Sequence, residues 1–259
     1  MSAEHRLTTA GLGLFGKHPG FGDFITAGDL PDAAGLVMDW LAATLGGWRD
    51  AAGPDWQALF DRAPALRFWI GPALVSHAPA QGAAGAALRG ILAPSRDRSG
   101  RRFPLGIVQS PAGPTPLDAP DQAFHDRAEA LLANLTAAEI FEPREAAAEI
   151  AAALPAPANA DDGQHYGGSF WALNPSLPPA ALLAELGEAD RLHAQATRSY
   201  WWFASDGQGM PGGVLALTGW PDAAGLGWLL ARGNPPAAKA APAAPDWDSP
   251  LVETAEGGA

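Results

Sequence analysis

Short apolar runs of strand length alternate along this chain with segments whose apolar residues recur at helical spacing, which restricts it to a layered fold of sheet and helices. Strands are expected at 65–70, 87–92, 103–109, 169–173, 200–204 and 214–217, with one more short strand inside the glycine-rich stretch 11–24. A first helix follows that stretch. Leu36, Val37, Trp40, Leu41, Leu45 and Trp48 share its apolar face, Asp29 is a candidate cap, and Pro31 suits the first turn. A short helix is expected over 55–60, and Asp121 opens another whose Phe124, Ala128, Leu131, Leu132 and Leu135 fall on one side. Segments 143–154, about 179–195 and 222–230 complete the set. The expected class is α/β of the α+β type.

Composition divides the chain into a core and two ends. Residues 11–232 carry the strand and helix patterns of one domain, and the ten residues before them read as a flexible N-terminus. An internal loop is expected at 155–165, where the run PAPANADDGQ has nothing to bury. Residues 233–259 are rich in proline, alanine and acid and are expected to be a disordered acidic tail. Within that tail Trp247, Leu251 and Val252 stand among carboxylates, a composition that suits either a short linear motif or an inert tail.

Several function classes are disfavoured by what the chain lacks. It has no cysteine, hence no disulfide, thiolate metal site or cysteine nucleophile. A formal charge of −12 repels phosphate backbones, so nucleic acid is not an expected partner. Residues 1–10 have no apolar signal-peptide core, and no run of uncharged apolar residues reaches membrane-spanning length. A soluble, cytoplasmic protein that is not membrane-embedded is expected.

The stretch Gly11–Lys17, GLGLFGK, superficially resembles two nucleotide-binding fingerprints. A phosphate loop needs a hydroxyl residue after the lysine and a helix that starts there. His18 and Pro19 follow instead, and proline disfavours helical backbone at the residue before it while supplying no amide. The six histidines show no helical metal-ligand spacing and read as surface or capping residues, and no G-x-S-x-G elbow offers a nucleophile. No catalytic residue, metal or cofactor is therefore expected.

Residues 94–102, PSRDRSGRR, concentrate Arg96, Arg98, Arg101 and Arg102 in an otherwise acidic chain. Three readings fit: a solvated turn with Gly100 at its tight position, a fork for an acidic or phosphorylated partner, or internal pairing with the GKHPGFGDF loop, in which Lys17 and Asp23 supply complementary charges. The last accounts best for a mixed-charge run. In Arg198–Phe203, RSYWWF, Trp201 and Trp202 must point to opposite faces of a strand.

Together these segments resemble the TagF family associated with type VI secretion. The resemblance is carried by GKHPGFGDF at 16–24, MDWL at 38–41, APALRF at 63–68, GILAPSRDRSGRR with FPL at 90–105, and SYWW at 199–202. It implies a central, mostly antiparallel sheet flanked by helices and related in shape to longin-like domains. It also implies non-enzymatic, post-translational repression of a type VI secretion system through a forkhead-associated scaffold protein. Signature positions with expected interaction or loop-bracing roles are Gly16, Lys17, Pro19, Gly22, Asp23, Phe24, Pro94, Ser95, Asp97, Arg98, Gly100, Arg101, Pro104, Trp201 and Trp202. The alternatives are a nucleotide or small-molecule sensor built on GLGLFGK and a structural subunit of the secretion apparatus.

Overall fold

The computed structural model describes residues 11–75, 86–113, 115–116, 122–138, 140–154, 191, 194–205 and 212–233. The expected flexible N-terminus, the 155–165 loop, the 169–173 strand, most of the 179–195 helix, the start of a helix at Asp121 and the tail beyond 233 lie outside those residues.

Among the described residues seven strands form one sheet: β1 (Gly11–Gly16), β2 (Ile25–Asp29), β3 (Leu66–Ile70), β4 (Leu88–Ala93), β5 (Leu105–Ser110), β6 (Arg198–Phe203) and β7 (Gly213–Thr218). They lie in the order β2-β1-β5-β4-β3-β6-β7, and every neighbouring pair is antiparallel. Each strand is short because glycine, proline or a polar turn interrupts its apolar run. Consecutive side chains then part to opposite faces. Leu14 faces one layer and Phe15 the other, and both are closed from solvent.

Helices α1 (Ala34–Ala52), α2 (Trp56–Asp61) and α5 (Ala223–Leu230) cover the Phe15 face. Val37, Leu41 and Trp48 of α1 recur at helical spacing and meet Phe68, Trp201 and Leu229 in one core. On the opposite face, α3 (Ala123–Ala137) and α4 (Pro143–Ala153) pack Phe124, Leu132 and Ile150 against Leu14, Ile91 and Ile107. Strand and helix layers thus seal a twofold core, as the mixed pattern of the sequence requires.

Two expectations change here. Asp29 does not cap α1: it ends β2, opposite Leu12, and the helix starts later from Ala33, with no side-chain cap. The reason is that Ile25 and Ala27 alternate inward, which draws ITAGD onto the edge of β1. His18 and His125 are not surface residues, since both are buried among aromatic side chains.

Candidate functional site

Three connections meet at one end of the sheet. The β1–β2 loop (17–24) and the β4–β5 loop (94–104) leave adjacent strand ends, because Gly16 pairs with both Ile25 and Leu105 while Ala93 also pairs with Leu105. The α3–α4 turn arrives over the first loop. Its approach is fixed by His18, whose Nε2 donates to the carbonyl of Leu135 at 2.6 Å while its Nδ1 accepts from Gly20 N–H at 3.0 Å.

Asp97 organises the pair of loops. Its side chain is 0% exposed and Lys17 is 14% exposed, with Lys17 Nζ 2.6 Å from Asp97 Oδ2. Arg101 Nε donates to the same oxygen at 2.6 Å, and the amides of Ser99 and Arg101 donate to Oδ1, each at 2.9 Å. The loop wraps its own aspartate into an Asx turn: Asp97 sits at the first position, and Gly100, with φ of 82°, closes it by donating to Asp97 O at 2.9 Å. The hydrogen bond from Lys17, outweighing the desolvation that opposes it, holds the Asp97 carboxyl well below the usual carboxylate range, with Arg101 adding to the effect. That direction places its contribution to stability above the ordinary carboxylate pKa of about 4, and it is lost as pH falls below that value.

The other arginines hold backbone. Arg98 donates from its amide to Phe21 O at 2.9 Å and from its guanidinium to Gly20 O at 2.6 Å, and Arg101 reaches Gly22 O at 2.9 Å. Loop carbonyls that lack a ladder partner are thereby satisfied. Pro19 and Gly20 occupy the centre of a turn closed by Phe21 N to His18 O at 2.9 Å, a position suited to proline's fixed φ. Pro104 is buried with its carbonyl against Gly16, and Ser95 beneath the loop carries a buried hydroxyl with no hydrogen-bond partner among the described residues. Pro94 leads into the turn at a half-buried position, and Gly22 has open space around it.

Asp23 does not join this network. It is exposed, and its Oδ1 accepts from Phe24 N–H at 2.8 Å, so Lys17 takes Asp97 as partner where the sequence had offered Asp23 as well. Phe24 stands 38% exposed with its ring edge-on to Phe103 at 5.4 Å. Trp201 and Trp202 lie outside the loops: Trp201 is core, and Trp202 donates to Gln122 Oε1 at 2.9 Å on the α3 face. Arg102 makes a two-point pair with Asp61 of α2 at 2.8 and 2.7 Å. Because Asp61 opens to water, Arg102→Ala is expected to lower unfolding free energy by no more than about 1 kcal/mol in urea titrations.

Chemistry is sparse at this end. The amides of Gly11–Gly16 belong to a strand paired on both sides, so they form no phosphate cradle. Among the described residues no group of three His, Asp or Glu side chains is placed to hold a metal ion, and no helix is long and apolar enough to cross a membrane. The family description "TagF N-terminal domain, type VI secretion system-associated" matches residues 13–152, which is 140 of the 259 residues and includes both loops and the α3–α4 turn. The chain belongs to the TagF family. Comparison with solved structures matches it to the crystal structure of PA0076 from Pseudomonas aeruginosa PAO1, with 28% identity, a TM-score of 0.62, and coverage of 85% of this chain and 93% of that one. Comparison with curated proteins gives no match.

Sequence reasoning found the two loops through their motifs and charge contrast. It missed His18, Asp61 and the α3–α4 turn. A histidine bonded to a helix-end carbonyl leaves no local pattern, since its partner is backbone 117 residues away.

Proposed function

We propose that this TagF-family chain is a cytoplasmic, non-enzymatic repressor of a type VI secretion system, and that it acts by binding a forkhead-associated scaffold component through the paired loops. The observation that carries this reading is the Asp97 network. Lys17, Arg98 and Arg101 all bind atoms of the loops themselves, which leaves a rigid surface displaying Phe24 and no free catalytic group among them. Rigid loops on a sheet scaffold suit recognition, because little conformational entropy is lost when a partner docks. Repression then follows if the chain holds the scaffold in a state that does not assemble.

Titration calorimetry with the purified scaffold tests this. Arg98→Glu places a carboxylate against the Gly20 carbonyl and unlatches the first loop, so binding is expected to weaken at least about tenfold, a change of ~1.4 kcal/mol. Phe24→Ala is expected to do likewise by removing an aromatic anchor. Undiminished affinity in both folded variants would take the loops out of the interface.

A further inference from the structure

Among the described residues, exposed cations are concentrated around α2 and the paired loops. Arg49, Arg62, Arg96, Arg98 and Arg101 are exposed there and Arg102 is half-buried, opposed by Asp23, Asp50, Asp55 and Asp61. The α3–α4 layer has the reverse balance: Asp126, Glu129, Glu142, Glu145 and Glu149 stand against Arg127, Arg144 and the buried Arg67. Several arginines of the first group are already engaged. Arg98 and Arg101 hold carbonyls of the first loop, and Arg102 is paired with Asp61. Arg96 is not. Its backbone bridges to Arg102 and its charge reaches Asp61 through space, but no hydrogen bond or ion pair joins its side chain to a described residue.

An indole lies beside this cluster. Half-buried Trp56 has the guanidinium carbons of both Arg49 and Arg102 at 5.8 Å from its ring centre. The contacts from Arg49 to Trp56, from Trp56 to Arg102, and from Arg102 to both Asp61 and Arg96 join α1, α2 and the β4–β5 loop in one surface. A guanidinium without a counter-ion next to an aromatic ring suits a segment that carries carboxylates and an aromatic side chain of its own.

The described part of the chain ends close to that surface. Leu66 opposes Leu92 and Arg67 opposes Trp202, so β3 begins where β4 and β6 end, at the loop end of the sheet. Just past β6, Ala204 O accepts from the Arg232 guanidinium at 3.2 Å, which brings the residues after α5 to the same end. Only β3 separates β6 from β4, a span of roughly 10 Å at ordinary strand spacing. The sequence that follows Gly233 is acidic: Asp246, Asp248, Glu253 and Glu256 outnumber Lys239, and Trp247 stands between two aspartates. The thirteen residues from Gly233 to Asp246 reach on the order of 20 Å as flexible coil and about 40 Å as extended polyproline, enough in either form.

We propose that residues 246–253, DWDSPLVE, dock on the Arg96–Trp56 surface of their own chain, with the aspartates meeting Arg96 and the Trp247 ring lying against the Trp56 side. This goes beyond the scaffold reading and does not depend on it. Tethering makes a small contact sufficient, because a short linker supplies an effective concentration of order millimolar and a contact of about 1 mM dissociation constant is then about half occupied. The α3–α4 layer would meet the same segment with like charge.

Because the chain has no cysteine, Ser249→Cys gives a single site for a nitroxide on the full chain, and amide line broadening then reports what the segment approaches. Broadening is expected at 53–62 and 94–102 and not at 143–153. Arg96→Glu, about 1 M salt, or Asp246→Arg combined with Asp248→Arg should each reduce it at least about twofold. Joining Arg96→Glu to the two tail reversals should restore it, which a variant damaged in folding would not do. Uniform broadening over both helical layers, or broadening at the loop end that survives every charge reversal, would overturn the proposal. A mixture of isotope-labelled chain without nitroxide and unlabelled chain carrying it should show none; broadening there would assign the contact to two copies and overturn docking within one chain. No broadening at all would leave the arginine surface to an acidic segment of another protein, and the proposal would fail.

Discussion

Gly16→Ala is expected to destabilise the protein by about 3–5 kcal/mol, the largest effect of any single methyl addition at the site. Gly16 has φ of 122°, in the region that favours glycine, and an L-residue held there costs roughly 1–3 kcal/mol on its own. Space adds to the backbone term. A Cβ would overlap the carbonyl oxygen of Pro104 and lie 2.9 Å from Leu105 Cα, and both obstacles are backbone that cannot rotate away. Relief requires β1 and β5 to separate where Gly16 pairs with Leu105, which is the root of both loops. Urea unfolding should therefore show the full loss, and amide exchange should accelerate first at 17–24 and 94–104. A loss below about 1 kcal/mol would mean that the two strand ends do not approach as described.

That close approach also shows why part of the site was legible and part was not. Glycine at 16 followed by His18 and Pro19 marks a chain that leaves a strand and cannot begin a helix, so the loop could be placed from sequence. Of the three readings open for the arginine-rich run, its mixed charge favours pairing with the opposing loop, and Lys17 does meet Asp97 across 80 residues. What the arginines bind could not be read. Gly20 O, Gly22 O and Leu135 O are backbone acceptors, which any residue type would supply.

The fold shows the same division. Helix α1 was visible because six apolar residues keep helical spacing over 36–48, and β3 because LRFWI is apolar and aromatic throughout. Strand β2 was not. It has only two inward apolar residues, its remaining positions are exposed, and it ends in Gly28 and Asp29, so its local preference resembles a turn. The pairing that makes it a strand comes from β1 and from α4 packed over Ala27.

Acid is expected to destabilise this protein well above the carboxylate range, with His125 as the main cause. Desolvation in the α3 face lowers its pKa to about 3, reinforced by the charges of Arg67 and Arg89 and opposed by the backbone of Phe68 and by Asp126. Trp202 and Phe124 meet its ring edge-on at 4.7 and 5.1 Å, and neither ring nitrogen makes a well-formed hydrogen bond. The surrounding carboxylates are engaged elsewhere: Arg67 binds Asp126 at 2.8 Å and Glu129 at 2.7 Å. A group held below its ordinary value when folded is protonated more readily when unfolded. Stability is then full above about 6.5, falls by ~1.4 kcal/mol per pH unit below it, and continues to fall until the folded value is passed. Between pH 6.5 and 4.5 the loss is about 2–3 kcal/mol, before most carboxylates titrate. His18, lowered by burial against the opposing bond to Leu135, adds in the same direction. Replacing His125 with leucine removes the titrating group and two buried nitrogens that lack a well-formed hydrogen bond, so His125→Leu should equal or exceed the parent at neutral pH and show a much flatter loss toward pH 4.5. Denaturant titrations at half-unit intervals decide the matter. A parent curve without slope in that interval, or a leucine variant that keeps the parent's slope, would place the acid sensitivity elsewhere, with His18 and its hold on the α3 terminus the next group to replace.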